Sequence, residues 1–115
     1  MEKRVLGAWG ERMAEKYLKT QGYNLIARNF RLGRAEIDLL MDDGMTCVLV
    51  EVKTRKSNHY GFPEEAVSGK KAEVLGNALM NLLDEFPRIE KARIDVISIT
   101  GFPKNYELVH WVDFL

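Results

Sequence analysis

The chain has little of what several protein classes require. Cys47 is its only cysteine, so no intrachain disulfide is possible; its place at strand periodicity predicts a small buried thiol and fits a reducing cytoplasm. His59 and His110 are the only histidines and stand far apart. They give no basis for a zinc site, and His110 is expected to pack beside Trp111. No apolar run reaches membrane-spanning length. The stretch after Met1-Glu2-Lys3-Arg4 is broken at Glu11 and Arg12, too short for the core of a signal peptide. These absences predict a cytoplasmic protein that does not engage a membrane. Charge of neither sign prevails, 17 cationic residues against 17 anionic. Without a global field to draw in polyanions, any surface for them has to be local. No repeat, linker or low-complexity tract divides the 115 residues, of which 46% are hydrophobic and 30% charged. The expectation is one domain spanning 1–115 with its own core.

What is present concentrates in two segments joined by Asp42-Asp43-Gly44-Met45. Ala35-Glu36-Ile37-Asp38-Leu39-Leu40-Met41 and Cys47-Val48-Leu49-Val50-Glu51-Val52-Lys53 alternate apolar and charged residues near their acids with strand period. Residues i and i+2 of a strand share a face, so Glu36 and Asp38 are expected to oppose Ile37 and Leu39, and Glu51 and Lys53 to oppose Val50 and Val52. Two hairpin registers keep the apolar faces matched. An Asp43-Gly44 loop sets Glu36 opposite Glu51 with Asp38 diagonal to it. A Gly44-Met45 loop sets Asp38 opposite Glu51 and Glu36 opposite Lys53. Like charges at such range are destabilising, and a bound cation would relieve them. Oxygen donors with room for water and phosphate suit Mg²⁺ or Mn²⁺. Two carboxylates and an ammonium so placed are what metal-dependent phosphodiester cleavage needs, with Asp38 and Glu51 as ligands and Lys53 orienting or deprotonating the attacking water. The alternative is a solvated hairpin in which Lys53 pairs with Glu36.

Asp38 followed by Glu51-Val52-Lys53 resembles the PD-(D/E)xK nuclease signature. A wider series resembles the YraN family of predicted bacterial endonucleases, related at a distance to archaeal Holliday-junction resolvases. The matching stretches are Gly7-Ala8-Trp9-Gly10-Glu11, Gly22-Tyr23, Arg28-Asn29, Glu36-Ile37-Asp38-Leu39, Val50-Glu51-Val52-Lys53-Thr54-Arg55, Tyr60-Gly61-Phe62-Pro63, Glu65-Ala66-Val67, Lys71 and Arg93-Ile94-Asp95-Val96-Ile97. The chain departs from the family in having Ala35 where Gly usually precedes Glu-Ile-Asp, and Ala72 where Gln often follows the lysine. Ile37 stands where the superfamily motif has its proline. The resemblance implies a restriction-endonuclease-like α/β fold, a mixed β-sheet flanked by helices. It further implies a catalytic set of Asp38, Glu51 and Lys53, Glu11 assisting at the metal, DNA as partner and, by way of the resolvases, a homodimer. A monomer is equally compatible with the length.

The elements read in the order α-β-β-β-α-β-β. A helix over about 3–21 puts Leu6, Trp9, Met13, Ala14, Tyr17 and Leu18 on one arc and Arg12, Glu15, Lys16 and Lys19 on the solvated side, with Glu11 at the edge of the arc. Gly7 and Gly10 lie in the packing stripe, and Gly22 ends the helix. A strand over 23–31 precedes the hairpin. A second helix over about 64–85 carries Lys71 in the middle of its buried arc, and Pro87 closes it. Residues 94–99 read as a central strand whose Asp95 either supports the site ligands from behind or, as one acid in an interior strand, is satisfied by structural hydrogen bonds, the second being favoured, and 106–112 as the last strand. Arg28, Arg31, Arg34, Lys53, Arg55, Lys56, Lys70 and Lys71 are expected to gather around the acids, with compensating carboxylates on Asp84, Glu85, Glu90, Asp113 and the first helix. Arg34, Arg55, Lys70 and Lys71 are the candidate phosphate contacts, and Tyr60 a candidate for stacking on bases. The leading reading is a Mg²⁺- or Mn²⁺-dependent nuclease on branched or single-stranded DNA in repair or recombination. The alternatives are a non-catalytic nucleic-acid-binding or assembly factor on the same scaffold, and a protein-interaction domain.

Overall fold

A computed structural model describes residues 3–56, 69–101 and 105–115. The elements follow the expected order: α1 (Lys3–Thr20), β1 (Asn24–Leu32), β2 (Ala35–Asp42), β3 (Cys47–Arg55), α2 (Gly69–Glu85), β4 (Ala92–Thr100) and β5 (Glu107–Trp111). The strands form one mixed sheet in the order β1-β2-β3-β4-β5, with β3 and β4 parallel and the other neighbours antiparallel. The expected start of the second helix near residue 64 lies outside the described residues.

The helices cover opposite faces of the sheet. On one, Ala14 and Leu18 of α1 pack on Leu39, Met41, Val48, Val50, Ile97 and Ile99. On the other, Leu75, Ala78 and Leu82 of α2 pack on Leu32, Ile37, Leu40, Leu49 and Ile94. Burial on both faces explains why Ile94 to Ile99 reads as an almost unbroken apolar run. Gly22, at φ of +92°, closes α1. Its N–H reaches the Lys19 carbonyl and the Tyr23 N–H reaches that of Leu18, so the last turn's carbonyls are paired.

The hairpin takes the second of the two registers. Asp42 faces Cys47 and Leu39 faces Val50, the Asp43 N–H bonds the Thr46 carbonyl, and Gly44 supplies a φ of +100°. Asp43 fixes the turn by accepting the Met45 and Thr46 N–H groups. The strict alternation expected of β2 does not hold. Ile37 packs on the α2 side whereas Leu39, two residues on, packs on the α1 side. The reason is a break at Asp38. The β2–β3 ladder stops at Leu39 and Val50. In β1, between the pairs Arg28↔Leu39 and Phe30↔Ile37, stands Asn29 with a left-handed φ of +48°.

Two expectations about α1 are corrected. Glu15 is not solvated: it is 8% exposed, held by Arg28 of β1 at 2.7 and 2.9 Å and by Lys19 at 2.8 Å. The Arg28 hydrogen bonds, with Lys19, outweigh the burial that pushes its pKa up and hold it at about 2. Nor does α1 supply compensating acid, since Lys3, Arg4, Arg12, Lys16 and Lys19 stand against Glu11 and Glu15.

The two helix glycines differ in what surrounds them. A Cβ at Gly10 would lie 2.9 Å from Thr54 Cβ, whereas one at Gly7 would meet nothing within 4 Å. Gly7→Ala should therefore stabilise the chain by up to ~1 kcal/mol through helix propensity. Gly10→Ala should destabilise it, because overpacking costs ~1–3 kcal/mol; urea unfolding that moves both variants the same way would refute this packing. Glu15→Gln should cost up to ~1 kcal/mol, the Arg28 partner being largely exposed and screened. A carboxylate with a lowered pKa stabilises above its ordinary 4.5 and loses that contribution as pH falls towards about 2. The difference between original and variant should thus shrink in acid.

Candidate functional site

The break at Asp38 creates the site. An N–H on a central strand requires an acceptor, and beyond the end of the β2–β3 ladder the Val52 N–H finds Asp38 Oδ2 at 2.8 Å. Extending the observed register sets Asp38 opposite Glu51, and the two carboxyl groups share a hydrogen bond. Glu51 follows Leu49 on the face that α2 covers and is 5% exposed. Lys71 of α2 places its Nζ 3.1 Å from Glu51 Oε2. Lys71 thus extends from a mostly apolar arc to meet an acid.

Burial, then the charge and hydrogen bond of Glu51, push the pKa of Asp38 up to about 8; the Val52 N–H opposes this and the charge of Glu11 adds to it. Asp38 therefore holds a proton near neutrality and donates it to Glu51. A cleft of about 530 Å³ opens over the pair, lined by Arg34, Ala35, Glu36, Asp38, Glu51, Lys70, Lys71, Val74 and Leu75. Its cations come from the β1–β2 turn and the first turn of α2.

Glu11 and Glu36 complete an acidic rim. Both accept from the Asn29 amide, at 3.2 and 3.4 Å, so Glu11 reaches the neighbourhood of Asp38 without joining its hydrogen bonds. Lys53 follows Glu51 by one strand period and is half-buried. Among the described residues it makes no ion pair, and in particular none with Glu36. It does not line the cleft. Arg55 ends β3, its carbonyl accepting the Gly101 N–H, away from the cleft-lining set. Arg28 turns to Glu15 instead of to the acids. Tyr60 lies outside the described residues. Among the described residues no group of three or more His, Cys, Asp or Glu side chains is arranged to hold a metal ion.

Nothing in the strand pattern singles out Asn29 for a site role. Its usable signal is that Asn, with Asp, tolerates a left-handed φ inside a strand. A second polar cluster was also not anticipated. His110 does not simply pack beside Trp111: its Nε2 lies 2.7 Å from Asp95 and its Nδ1 3.2 Å from the Tyr17 hydroxyl. Burial pushes the Asp95 pKa up, but hydrogen bonds from His110, Arg93 and the Asp113 N–H outweigh it and leave the pKa lowered. An ionised Asp95 requires Nε2 to donate, so Nδ1 of a neutral ring accepts from Tyr17. The reading of Asp95 as structurally satisfied agrees with these bonds. The Cys47 thiol is buried and its pKa pushed up to about 11 by that burial. Among the described residues, no helix is long and apolar enough to cross a membrane.

Comparison with known proteins places the chain in a family. A UPF0102 protein of Geobacter metallireducens is 43% identical over 111 residues, covering 96% of this chain and 91% of its own. Another, from Syntrophomonas wolfei, is 42% identical over 97 residues, 84% of each chain. Among solved structures, Pyrococcus furiosus SfsA in complex with Ca²⁺ aligns with 97% of this chain and 64% of its own, at 13% identity and a TM-score of 0.44, a likeness too remote to assign a fold. The family described as "Uncharacterised protein family UPF0102" matches residues 10–99, and the chain belongs to it, the YraN-type family that its motifs resemble.

Proposed function

We propose that the chain is a metal-dependent nuclease that hydrolyses phosphodiester bonds of DNA, on a restriction-endonuclease-like scaffold. The observation that carries this reading is the hydrogen-bonded pair of half-buried Asp38 and buried Glu51 beneath a cleft lined by Arg34, Lys70 and Lys71. The pair fits a hard divalent cation: both donors are carboxylates, and Asp38 is protonated only because it is buried against a second acid. Mg²⁺ or Mn²⁺, held by Asp38 and Glu51 with Glu11 near, would supply Lewis-acid polarisation of the phosphoryl oxygen and a lowered pKa for water. The chain's own groups do the rest. Arg34 and Lys70 bind backbone phosphate at the cleft, and the Val52 N–H fixes the Asp38 carboxyl. Lys53, without an ion pair among the described residues, orients the attacking water and offsets charge on the phosphorane.

A second reading, a non-catalytic nucleic-acid-binding or assembly factor, draws support from Lys71, which already neutralises Glu51, and from the missing third ligand among the described residues. The two separate on purified protein given labelled single-stranded, duplex, flap and four-way-junction DNA with Mg²⁺ or Mn²⁺. Asp38→Asn, Glu51→Gln and Lys53→Ala should each lower cleavage by roughly 10²-fold or more while leaving binding in place. Full activity in Asp38→Asn would end the nuclease reading.

A substrate-free test uses the raised pKa of Asp38. Its folded-state value of about 8 against an ordinary 3.8 gives stability that is fully present below 3.8 and lost as pH rises through about 8. In Asp38→Asn the amide can accept from Val52 and donate to Glu51 at every pH. With EDTA present, this variant should melt above the original at pH 8 and converge with it near pH 4. Mn²⁺ should raise the melting temperature of the original more than that of the variant. Equal Mn²⁺ shifts in both would place any metal elsewhere.

A further inference from the structure

Arg12, Lys16 and Lys19 stand four and three residues apart on one ridge of α1, and Arg28 reaches them from β1. With Glu15 they line one shallow cleft of about 530 Å³. Glu15 does not cancel this charge. One oxygen takes Arg28 Nε, the other takes both Arg28 and Lys19, and four cations face one carboxylate. Among the described residues neither Arg12 nor Lys16 has an ion-pair partner. In a chain of zero net charge this is a local surplus, brought together by two elements.

The cleft also has a direction. A smaller one bounded by Glu11, Arg12, Glu15 and Arg28 adjoins it, and Glu11 shares the Asn29 amide with Glu36, which lines the Asp38–Glu51 cleft. The cationic ridge thus meets, on the α1 side, the Glu11–Glu36 rim of the carboxylate cleft, which Arg34 and Lys70 border on the α2 side.

We propose that the α1–β1 cleft is a second binding site for a nucleic-acid backbone. It rests on the nuclease reading for its role, which is to hold the strand beyond the cleaved bond, on the side away from Arg34 and Lys70. Cations on both sides of the carboxylates suit a substrate that continues in both directions, so the bond cut is internal rather than terminal. The contacts are to phosphate and carry no sequence preference.

The test is fluorescence anisotropy of labelled single-stranded and duplex oligonucleotides over a range of KCl, in EDTA so that nothing is turned over. The double variant Arg12→Ala/Lys16→Ala should bind more weakly, with the logarithmic salt slope reduced by about 1.4 for the single strand and about 1.8 for the duplex. Both side chains belong to exposed or unpaired positions, and circular dichroism should confirm an unchanged fold. Arg88→Ala/Lys91→Ala, which removes two exposed cations from a cleft elsewhere, should leave the slope as it was. An unchanged slope in the first variant overturns the proposal. So does an equal fall in the second, and so does preference for anionic vesicles over oligonucleotide. A reduced slope in a protein that never cleaves would keep this site and discard the nuclease; cleavage with an unchanged slope would do the reverse.

Discussion

The hydrogen bond from the Val52 N–H to Asp38 holds the site in place. The β2–β3 ladder ends at the level where β1–β2 pairing skips Asn29 and Asp38, and a side chain takes over the pairing that backbone would otherwise supply. Asp38 cannot swing away without leaving a strand N–H unpaired, at a cost of ~1–3 kcal/mol. It is thereby kept against Glu51, and the repulsion that follows is relieved by a proton. The polar site is thus a consequence of how the sheet is mended.

Packing on the α2 side sets the other partner. Leu75 is anchored in the cluster that includes Leu49. One helical turn back from Leu75 stands Lys71, and one strand period on from Leu49 stands Glu51. The two steps span nearly the same length, ~6 Å along the helix and ~6.7 Å along the strand. A salt bridge at 3.1 Å is the outcome. On the α1 side Gly10 plays a similar part, because only a residue without a side chain lets the helix approach Thr54 at the end of β3.

Much of this was legible in the sequence. Period-2 alternation gave β3, the turn residues limited the hairpin to two registers, and a lysine within an apolar arc pointed at Lys71. The choice of register was not legible, since both kept the apolar faces matched; Asp43 decides it by capping the Met45 and Thr46 N–H groups. Alternation misled at Ile37 because the end of the β2–β3 ladder and the left-handed Asn29 opposite it leave no periodic trace. Glu15 lies on the polar side of a helical wheel, which cannot see Arg28 arriving from another element. His110 was opaque for the same reason: Asp95 and Tyr17 come from β4 and α1.

β1 forms one border of the sheet, where an unbroken row of N–H and C=O groups would invite another strand. Its outer row is not unbroken. The register slips between Leu25 and Ala27, and Asn29 twists the backbone into a left-handed conformation. Arg28 and Arg31 add exposed charge along it. Such edges resist pairing with a second chain. The irregularity that shapes the carboxylate site from within therefore also guards the border of the sheet, and association of two copies by continuing the sheet at β1 is disfavoured.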